Sequence, residues 1–368
     1  MLKILHTGDW HIGRNYDKYD PALAERLRAA RLEAVDNINA LAEKEGCDVI
    51  VVAGDLFDNI RPAAKLIKQV CEKLKSAPCP VLIIPGNHDY CTGGDELWQR
   101  FSAECPDNVR LLTKCEPYVT EKAVYYPCVC PARHSEENML GWISGGENRR
   151  DSTRLHIGIA HGAIEGLSCD SERRYYYMPW AELRSCGLDL WLIGHTHIPY
   201  PAGDCISDEN IFNAGTHQQT DVSNNTDGTV FVIEISDDKR IKAVKHRTGV
   251  IFFRQADIRL SHGEPLREAL SQALAEIPRE STFVELNISG VAMRGDFESR
   301  AEIYNEQEKG FLFFEVNDSA LEQEITADMI DEETIDGSAE NKLLKRYISE
   351  PYMLNLAFDL VKSCKEGK

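Results

Sequence analysis

Five short segments of the chain, each at the end of an apolar run, carry residues of the types that bind metal ions. They are Gly8-Asp9-Trp10-His11, Gly54-Asp55-Leu56-Phe57-Asp58, Gly86-Asn87-His88-Asp89, Ala160-His161-Gly162 and Gly194-His195-Thr196-His197. Any one of them alone is more typical of a polar turn closed by side-chain hydrogen bonds. Together, their carboxylates, imidazoles and amide oxygen suit two ions of manganese, iron or zinc better than calcium. Two such ions about 3.5–4 Å apart polarise a phosphate and activate a water, so the predicted chemistry is hydrolysis of a phosphate ester.

The spacing of the predicted ligands suggests how they are divided between the two ions. The predicted ligands are Asp9, His11, Asp55, Asn87, His161, His195 and His197. Asp9 and His11 are two residues apart and can face one ion, and Asp55 can bridge both ions through its two carboxylate oxygens. Asn87 and His161 can serve the second ion. The two histidines of the last segment can be divided between the ions.

A histidine next to a predicted ligand is the candidate for proton transfer. His88 follows Asn87 but points the other way if the segment is extended. We predict that His88 acts on the leaving oxygen as a general acid, or stabilises the transition state. Asp89 is predicted to orient the His88 imidazole. His217 also follows a strand-like run and is a further candidate for lining the cleft.

The first 200 residues alternate strand-like and helix-like stretches, which is the pattern of an α/β fold. Strands are predicted at 2–5, 48–53, 80–84, 155–159 and 188–193, and helices at 21–45 and 62–76. Ligands in open α/β sheets collect outside the carboxyl ends of the strands, so one cleft can gather all five segments. β-rich stretches at 210–213, 229–235 and 243–246 predict a second sheet layer that faces the first.

A new α/β unit is predicted from about residue 250. The predicted elements are strands at 251–260, 283–289 and 310–315 and helices at 264–277 and 297–307. An acidic stretch at 322–336 follows, and then a helical segment from Glu340 that Pro351 interrupts.

Composition and charge limit the class of protein. The net charge of −19 argues against non-specific nucleic-acid binding by this chain alone, although much of the excess lies in the acidic C-terminal stretch. The N-terminus shows no signal-peptide pattern, and no apolar run is long enough to span a bilayer. We therefore expect a cytoplasmic protein, with association with the nucleoid as an alternative, that binds no membrane and keeps its twelve cysteines reduced.

The five segments resemble the motifs of the calcineurin-like metallophosphoesterase superfamily. The order of D-x-H, G-D-x-x-D, G-N-H-D, a lone histidine and G-H-x-H is present over about residues 1–217. Within the superfamily, Thr7-Gly8-Asp9-Trp10-His11-Ile12-Gly13, Ala53-Gly54-Asp55-Leu56-Phe57-Asp58 and Arg61-Pro62 look like the SbcD-type DNA repair exonucleases, including the YhaO-like group.

The resemblance implies a fold, a cofactor and partners. It implies a two-layered β-sandwich core flanked by helices, with a small α/β capping domain, and two divalent ions, with manganese favoured over iron or zinc. It implies cleavage of DNA at ends or in single strands, a homodimer, and an SbcC-like coiled-coil ATPase partner. Asp58 stands where some relatives have a second catalytic histidine, and we expect it to act as a hydrogen-bond acceptor behind the ligands.

These expectations define three parts of the chain and three hypotheses of function. We predict a nuclease domain at 1–249, a capping domain at 250–318, and an acidic linker with a C-terminal helical segment at 319–368. That helical segment either packs on its own domain or binds the ATPase, and the segments 62–76 and 96–101 are candidates for a dimer interface. The leading hypothesis is a DNA exonuclease and endonuclease. The alternatives are a small-molecule phosphodiesterase or phosphatase and a non-catalytic scaffold.

Overall fold

The protein is described by a computed structural model that covers residues 1–94, 96–144, 153–168, 170, 172–224 and 226–366. The chain divides into two compact units, Met1–Phe252 and Phe253–Lys368. Each unit has its own hydrophobic core.

The first unit alternates strands and helices over most of its length. Its strands are β1 (Leu2–Thr7), β2 (Val49–Ala53), β3 (Val81–Ile84), β4 (Val109–Leu111), β5 (Tyr118–Val119), β6 (Ala123–Cys128), β7 (Leu155–His161), β8 (Leu190–Gly194), β9 (Cys205–Ser207), β10 (Ile211–Asn213), β11 (Thr229–Ile235) and β12 (Ile241–Arg247). Its helices are α1 (Pro21–Glu45), α2 (Ala64–Lys75), α3 (Glu96–Glu104), α4 (Gly141–Ser144) and α5 (Trp180–Ser185). The predicted α/β class is confirmed.

Two sheets form the core of this unit. The first has the order β4-β3-β2-β1-β11-β12-β9, and the second has the order β10-β8-β7-β6-β5. Strands β1 to β4 are parallel to one another, as are β6, β7, β8 and β10. Apolar side chains from both sheets, such as Val51, Ile159 and Leu192, share one buried cluster, so the sheets pack face to face.

The predicted origin of the second layer was wrong. The stretches at 210–213, 229–235 and 243–246 were expected to form it. Strand β10, at the first of these, does lie in the second sheet, but β11 and β12 extend the first sheet. The reason is that β11 pairs antiparallel with the free edge of β1, and β12 then pairs with β11. The second sheet is built instead around β7 and β8, which were expected in the first sheet. The metal-binding segments therefore come from both layers.

Helices cover the outer faces of the two sheets. Helix α1 begins after Asp20, whose carboxylate accepts hydrogen bonds from the first turn, and ends at Gly46 in a left-handed conformation. These two signals explain why the predicted bounds of 21–45 match the structure. Helices α1, α2 and α3 pack on the first sheet through one buried cluster, and α4 and α5 pack on the second sheet.

The second unit is a three-stranded sheet with six helices in the described part of the chain. Its elements are β13 (Phe252–Leu260), α6 (Leu266–Leu274), β14 (Thr282–Ala292), α7 (Arg294–Glu298), α8 (Arg300–Glu308), β15 (Phe313–Gln323), α9 (Ala327–Glu333), α10 (Ala339–Arg346) and α11 (Pro351–Glu366). The strand order is β13-β14-β15, and β14 and β15 are parallel.

Two details of this unit differ from the expectation. The helix predicted at 297–307 is two helices, α7 and α8, because the chain leaves helical geometry at Ser299. The acidic stretch expected to be a linker contains the end of β15 and all of α9. Acidic residues are compatible with both elements because their charged side chains lie mostly on exposed positions.

Helices α10 and α11 have apolar side chains on two sides, and only one side is buried. Leu344, Leu354 and Phe358 pack with Ile330 of α9 in a small cluster. On the other side, Tyr352, Leu356 and Leu360 are exposed. None of the helices in the described residues has the length and apolar character needed to cross a membrane.

Candidate metal centre

The metal-binding residues lie where parallel strands end. Asp9 follows β1, Asp55 follows β2, and Asn87 follows β3 after a short turn. His161 is the last residue of β7, and His195 comes directly after β8. The ends of two packed sheets therefore supply the site, and not the edge of one sheet as expected.

Several of these residues have strained backbone conformations. The φ angles are 52° at Asp9, 42° at His11, 52° at Asp55 and 99° at His195. Side chains other than glycine rarely adopt this region, and such outliers concentrate at functional sites. The backbone amides of Asp9 and His11 donate to the carbonyls of Gly54 and Asp55, so two of the strained segments hold each other in place.

Two glycines leave room for the functional side chains. A Cβ on Gly54 would overlap the imidazole of His161, and Gly54 itself has a φ of 86°. A Cβ on Gly86 would overlap the carboxylate and backbone of Asp55. Gly54 is therefore required by the close approach of the two sheets, and Gly86 by the close approach of two neighbouring segments of the first sheet.

One group of donor atoms gathers around His11. The Nε2 atoms of His11 and His197 are 3.0 Å apart, and His197 Nε2 is 3.9 Å from Asp9 Oδ1. The backbone amide of His195 donates to both oxygens of Asp9, at 3.0 and 2.9 Å. Asp9, His11 and His197 thus offer three ligand atoms to a single point.

A second group gathers around the side chain of Asn87. Its Oδ1 atom lies 2.9 Å from His161 Nε2 and 3.1 Å from His195 Nδ1. The Nδ2 atom of Asn87 is buried without a hydrogen-bond partner. The amide is therefore oriented with its oxygen towards the imidazoles, although this leaves its N–H donors unsatisfied. This arrangement fits an amide oxygen that serves as a metal ligand.

Asp55 lies between the two groups. Its Oδ2 atom is 3.5 Å from His11 Nε2 and 3.3 Å from His161 Nε2, whereas its Oδ1 atom accepts from the backbone amide of His88 at 2.8 Å. A carboxylate in this position can be shared by two ions. His195 lies in one group and His197 in the other.

The imidazole of His88 is oriented by the backbone. Its Nδ1 atom is 3.0 Å from the carbonyl oxygen of Asp58, which can only accept, so Nδ1 carries the hydrogen and Nε2 is left available. The Asp58 carboxylate lies 3.2 Å from His11 Nδ1, within ion-pair distance of that ring. The His11 and His88 rings meet edge to face, with centroids 4.7 Å apart.

Asp89 does not have the predicted contact with His88. Its two carboxylate oxygens accept from the backbone amides of Phe57 and Gly86, at 2.9 and 2.7 Å. Burial raises the pKa of Asp89 to about 7. The Asp89 carboxylate links the segment after β2 to the turn after β3, so it is not available to His88. The carbonyl oxygen of Asp58 orients the His88 imidazole instead.

Burial and neighbouring charges shift the pKa values of the site's carboxylates and imidazoles in different directions. Burial raises the pKa of Asp9 to about 7. Burial also opposes ionisation of Asp55, but the adjacent His161 outweighs it and holds the pKa of Asp55 well below its usual range. Conversely, burial would lower the pKa of His161, but Asp55 raises it to about 9. The ion pair of Asp55 and His161 shows that this pocket stabilises a positive charge beside the Asp55 carboxylate.

His195 and His197, the two histidines of the last segment, are held neutral. Burial, with the charge of His161, lowers the pKa of His195 to about 3, and burial lowers the pKa of His197 well below its usual value. Neutral imidazoles are the form that binds a cation. The donor set of carboxylates, imidazoles and one amide oxygen fits two divalent ions of the manganese, iron or zinc type.

Sequence reasoning missed a buried arginine that supports the site. Arg31 of α1 donates to the carbonyl oxygens of Trp10 and Asp9, at 2.7 and 3.4 Å, and to the hydroxyl of Thr216 at 3.3 Å. The available signal was an arginine one turn after Leu27 on the buried face of an amphipathic helix. His217 packs against Trp10 and donates to the Arg31 carbonyl at 2.8 Å, so it lies behind the ligands and not in the cleft.

An aromatic side chain beside the cluster was also missed. The ring centroid of Tyr175 is 5.2 Å from that of His195 and 5.0 Å from that of His134. The sequence gives little sign of it, because Tyr175 is one of three consecutive tyrosines in a loop.

The fold and the cluster define a metal-dependent phosphoesterase. The chain belongs to the calcineurin-like phosphoesterase family, whose sequence model matches residues 2–199. The family predicted from the five segments is thus confirmed.

Two curated proteins of Bacillus subtilis (strain 168) are similar to parts of the chain. The uncharacterized metallophosphoesterase YhaO is 28% identical over 213 residues, which are 53% of this chain and 48% of that protein. The SbcD subunit of nuclease SbcCD is 34% identical over 93 residues, which are 24% of this chain and 22% of that protein. The chain therefore matches about half or less of the length of these relatives.

Two solved structures are similar to this chain at low sequence identity. TT1561 of Thermus thermophilus is 13% identical, with a TM-score of 0.41 over 67% of this chain and 99% of that one. GAP50, described as the anchor in the inner membrane complex of Plasmodium, is 13% identical, with a TM-score of 0.36 over 76% of this chain and 96% of that one.

Proposed function

We propose that this chain is a two-metal-dependent DNA nuclease with exonuclease and endonuclease activity, and the nuclease subunit of an SbcCD-like double-strand-break repair complex in the cytoplasm. The observation that carries the proposal is the position of Asp55 between two groups of ligand atoms, with His88 adjacent. The similarity to the SbcD subunit of nuclease SbcCD, although limited to 93 residues, supports DNA as the substrate.

The residues have separate parts in this proposal. Asp9, His11 and His197 would hold one ion, Asn87, His161 and His195 would hold the other, and Asp55 would be shared. When bound, such ions polarise the phosphate and lower the pKa of water. We propose manganese as the preferred ion, with iron and zinc as alternatives.

His88 is proposed to act on the leaving oxygen. With Nδ1 fixed by the Asp58 carbonyl, the protonated ring presents Nε2–H, which donates its proton to the oxygen that departs from phosphorus. The Asp58 carboxylate is proposed to act as a positioning residue, because it touches His11 and keeps that ring turned towards Asp55. Asp89 is proposed to hold the two backbone segments together and to take no part in proton transfer.

The C-terminal helices are the proposed surface for a partner. Leu356 and Leu360 of α11 and Leu343 of α10 line an apolar groove of this unit. Because an amphipathic helix binds such a groove through its apolar face, we propose that the base of an SbcC-like coiled-coil ATPase occupies it. A homodimer is also proposed, through the outer faces of α2 and α3, since their inner faces are already buried in the first unit.

One observation favours a second candidate, a small-molecule phosphodiesterase. Among the residues that the structure describes, the cleft beside His195 carries three carboxylates, Glu136, Asp170 and Glu172, and one arginine. Such a wall does not favour a long polyanion, and the net charge of −19 points the same way.

Cleavage assays with manganese separate these candidates. The substrates are duplex DNA with blunt ends, a circular single strand, and bis(p-nitrophenyl) phosphate. The nuclease proposal expects both DNA substrates to be cut, whereas cleavage of the nitrophenyl ester alone would support the second candidate. Absence of both cleavage and metal binding would leave the scaffold hypothesis.

A variant tests the assigned role of His88. His88→Gln should lower kcat by about 10²–10⁴-fold, the usual contribution of general acid–base catalysis, while the bound metal measured by mass spectrometry stays unchanged. His262→Gln is the matched control, because His262 is an exposed histidine of the second unit and belongs to neither ligand group. Full cleavage by His88→Gln would refute the role.

A further inference from the structure

The cleft that adjoins the candidate metal centre has an aromatic wall. The cleft has a volume of about 720 Å³ and its lining includes His134, Tyr175 and His195. His195 belongs to the group of ligand atoms around Asn87, so the cleft begins at the metal centre. A cleft of this size is within the range that holds a small ligand of nucleotide size.

Hydrogen bonds hold the described residues of the loop that carries Tyr175 in place. Both carboxylate oxygens of Asp170 accept from this loop, one from the amide of Arg174 at 3.1 Å and the other from the amide of Tyr175 at 2.9 Å. The Tyr175 carbonyl accepts from the amide of Ala163 at 2.8 Å, which ties the loop to the segment after β7. Tyr175 is half-buried, so its position is set while part of its ring remains accessible.

The charges of the same cleft limit which chemical groups of a ligand can bind beside the Tyr175 ring. Asp170 is committed to backbone amides, and Glu172 pairs with Arg174 at 2.9 Å. Counting Glu136 as well, the described residues of the wall carry three carboxylates and one guanidinium. A second phosphate would be repelled here, whereas an uncharged aromatic group would not. The wall is therefore suited to a base and not to the continuing sugar–phosphate chain.

We infer that the aromatic wall of Tyr175 and His134 binds the nucleobase of the nucleotide whose phosphate lies at the metal centre. The inference rests on the proposed function, since it assumes a nucleotide substrate, and it adds a specificity determinant to it. Stacking on an aromatic side chain tolerates any base, so the wall would select nucleotides over other phosphate esters without reading their sequence.

Binding of two simple ligands tests the inference without relying on turnover. The full chain with manganese and the His88→Gln substitution is titrated with thymidine 5′-monophosphate and with 2-deoxyribose 5-phosphate, which lacks the base. The chain with Tyr175 intact should prefer the nucleotide by about tenfold, a typical value for one base on one ring. Tyr175→Phe should keep the preference, Tyr175→Ala should abolish it, and His134→Ala should reduce it.

Controls distinguish binding of a base from a structural role. Tyr177→Ala, which removes a tyrosine two residues further along the same loop, should keep the preference. If Tyr175→Ala weakened both ligands equally, or released manganese, Tyr175 would only support the His195 ring and the inference would be wrong. Equal affinity of the chain with Tyr175 intact for both ligands would also overturn it.

The outcome can be separated from that of the proposed function. Equal affinity for the two ligands together with cleavage of DNA would reject the aromatic wall and keep the nuclease. A clear preference for the nucleotide without any cleavage of DNA would support the wall and reject the nuclease in favour of a nucleotide phosphodiesterase.

Discussion

The metal centre and the C-terminal helices both reverse the usual distribution of side chains, but in opposite senses. At the metal centre, polar groups such as Asp9, Asp55 and His161 are almost completely buried. On α11, apolar groups such as Tyr352 and Leu360 are exposed. Each arrangement is unfavourable in the isolated chain, because buried charge and exposed apolar surface both raise its free energy.

The two regions are suited to different binding partners. Buried carboxylates and neutral imidazoles are stabilised by cations, which act over short distances and need fixed geometry. Strained backbone and tight hydrogen bonds provide that geometry around Asp9 and Asp55. An exposed apolar face needs only a complementary apolar partner. The first region should therefore be intolerant of single substitutions and the second tolerant of them, except when a partner binds.

Asp55→Asn should give the largest effect of any single substitution. The change keeps the shape of the side chain but removes the charge that lies between the two ligand groups. We expect kcat/KM to fall by at least about 10³-fold, equivalent to about 4 kcal/mol, with loss of bound metal. The measurements are steady-state cleavage and metal content. Asp36→Asn, at an exposed position of α1, is the control and should leave both unchanged. Unchanged activity in Asp55→Asn would mean that the buried cluster is structural.

Arg31→Gln should give the next largest effect, on folding. The substitution leaves the carbonyls of Trp10 and Asp9 without their buried donor, and each unsatisfied buried group costs about 1–3 kcal/mol. We expect the free energy of unfolding in urea to fall by about 3 kcal/mol. Arg28→Gln, which removes an exposed arginine of the same helix, should cost less than about 0.5 kcal/mol. Equal losses in the two variants would show that Arg31 does not support the ligand segment.

The sequence was sufficient to predict which side chains gather at the candidate metal centre, because most of them lie at or just after the end of a recognisable strand. Asp9, Asp55 and His195 could be found in this way, as could the bounds of α1. Which sheet each strand joins could not be predicted, because β11 reads equally well as a strand of either layer, and only its pairing with β1 decides. Contacts between distant segments, such as Arg31 with Asp9 or Tyr175 with His195, leave no local pattern in the chain.

The effect of manganese on stability should depend on pH in a defined direction. The folded pKa of Asp9, about 7, lies above its ordinary value, so its contribution to stability is present at low pH and is lost as the pH rises to about 7. For His161, with a folded pKa of about 9, the contribution is lost between about pH 6.5 and 9. Manganese competes with these protons, so its affinity should rise over the same range.

Thermal unfolding at several pH values measures this effect. The increase in Tm caused by manganese should be larger at pH 8 than at pH 6, corresponding to about 1–2 kcal/mol, since one proton displaced is worth about 1.4 kcal/mol per pH unit. In His161→Gln the dependence on pH should be weaker. An increase in Tm that is the same at both pH values would contradict proton displacement by the metal.

Leu360→Glu should give the smallest effect on the isolated chain. The side chain of Leu360 is 60% exposed, so replacing it should change the free energy of unfolding by less than about 0.5 kcal/mol. Leu354→Ala on the same helix is the comparison: Leu354 is 1% exposed, and its truncation should cost about 2–4 kcal/mol. Cleavage of bis(p-nitrophenyl) phosphate should be unchanged in Leu360→Glu, whereas binding to a coiled-coil ATPase should be lost. A large loss of stability in Leu360→Glu would show that this face is already covered by the chain itself, and the contrast between the two regions would then disappear.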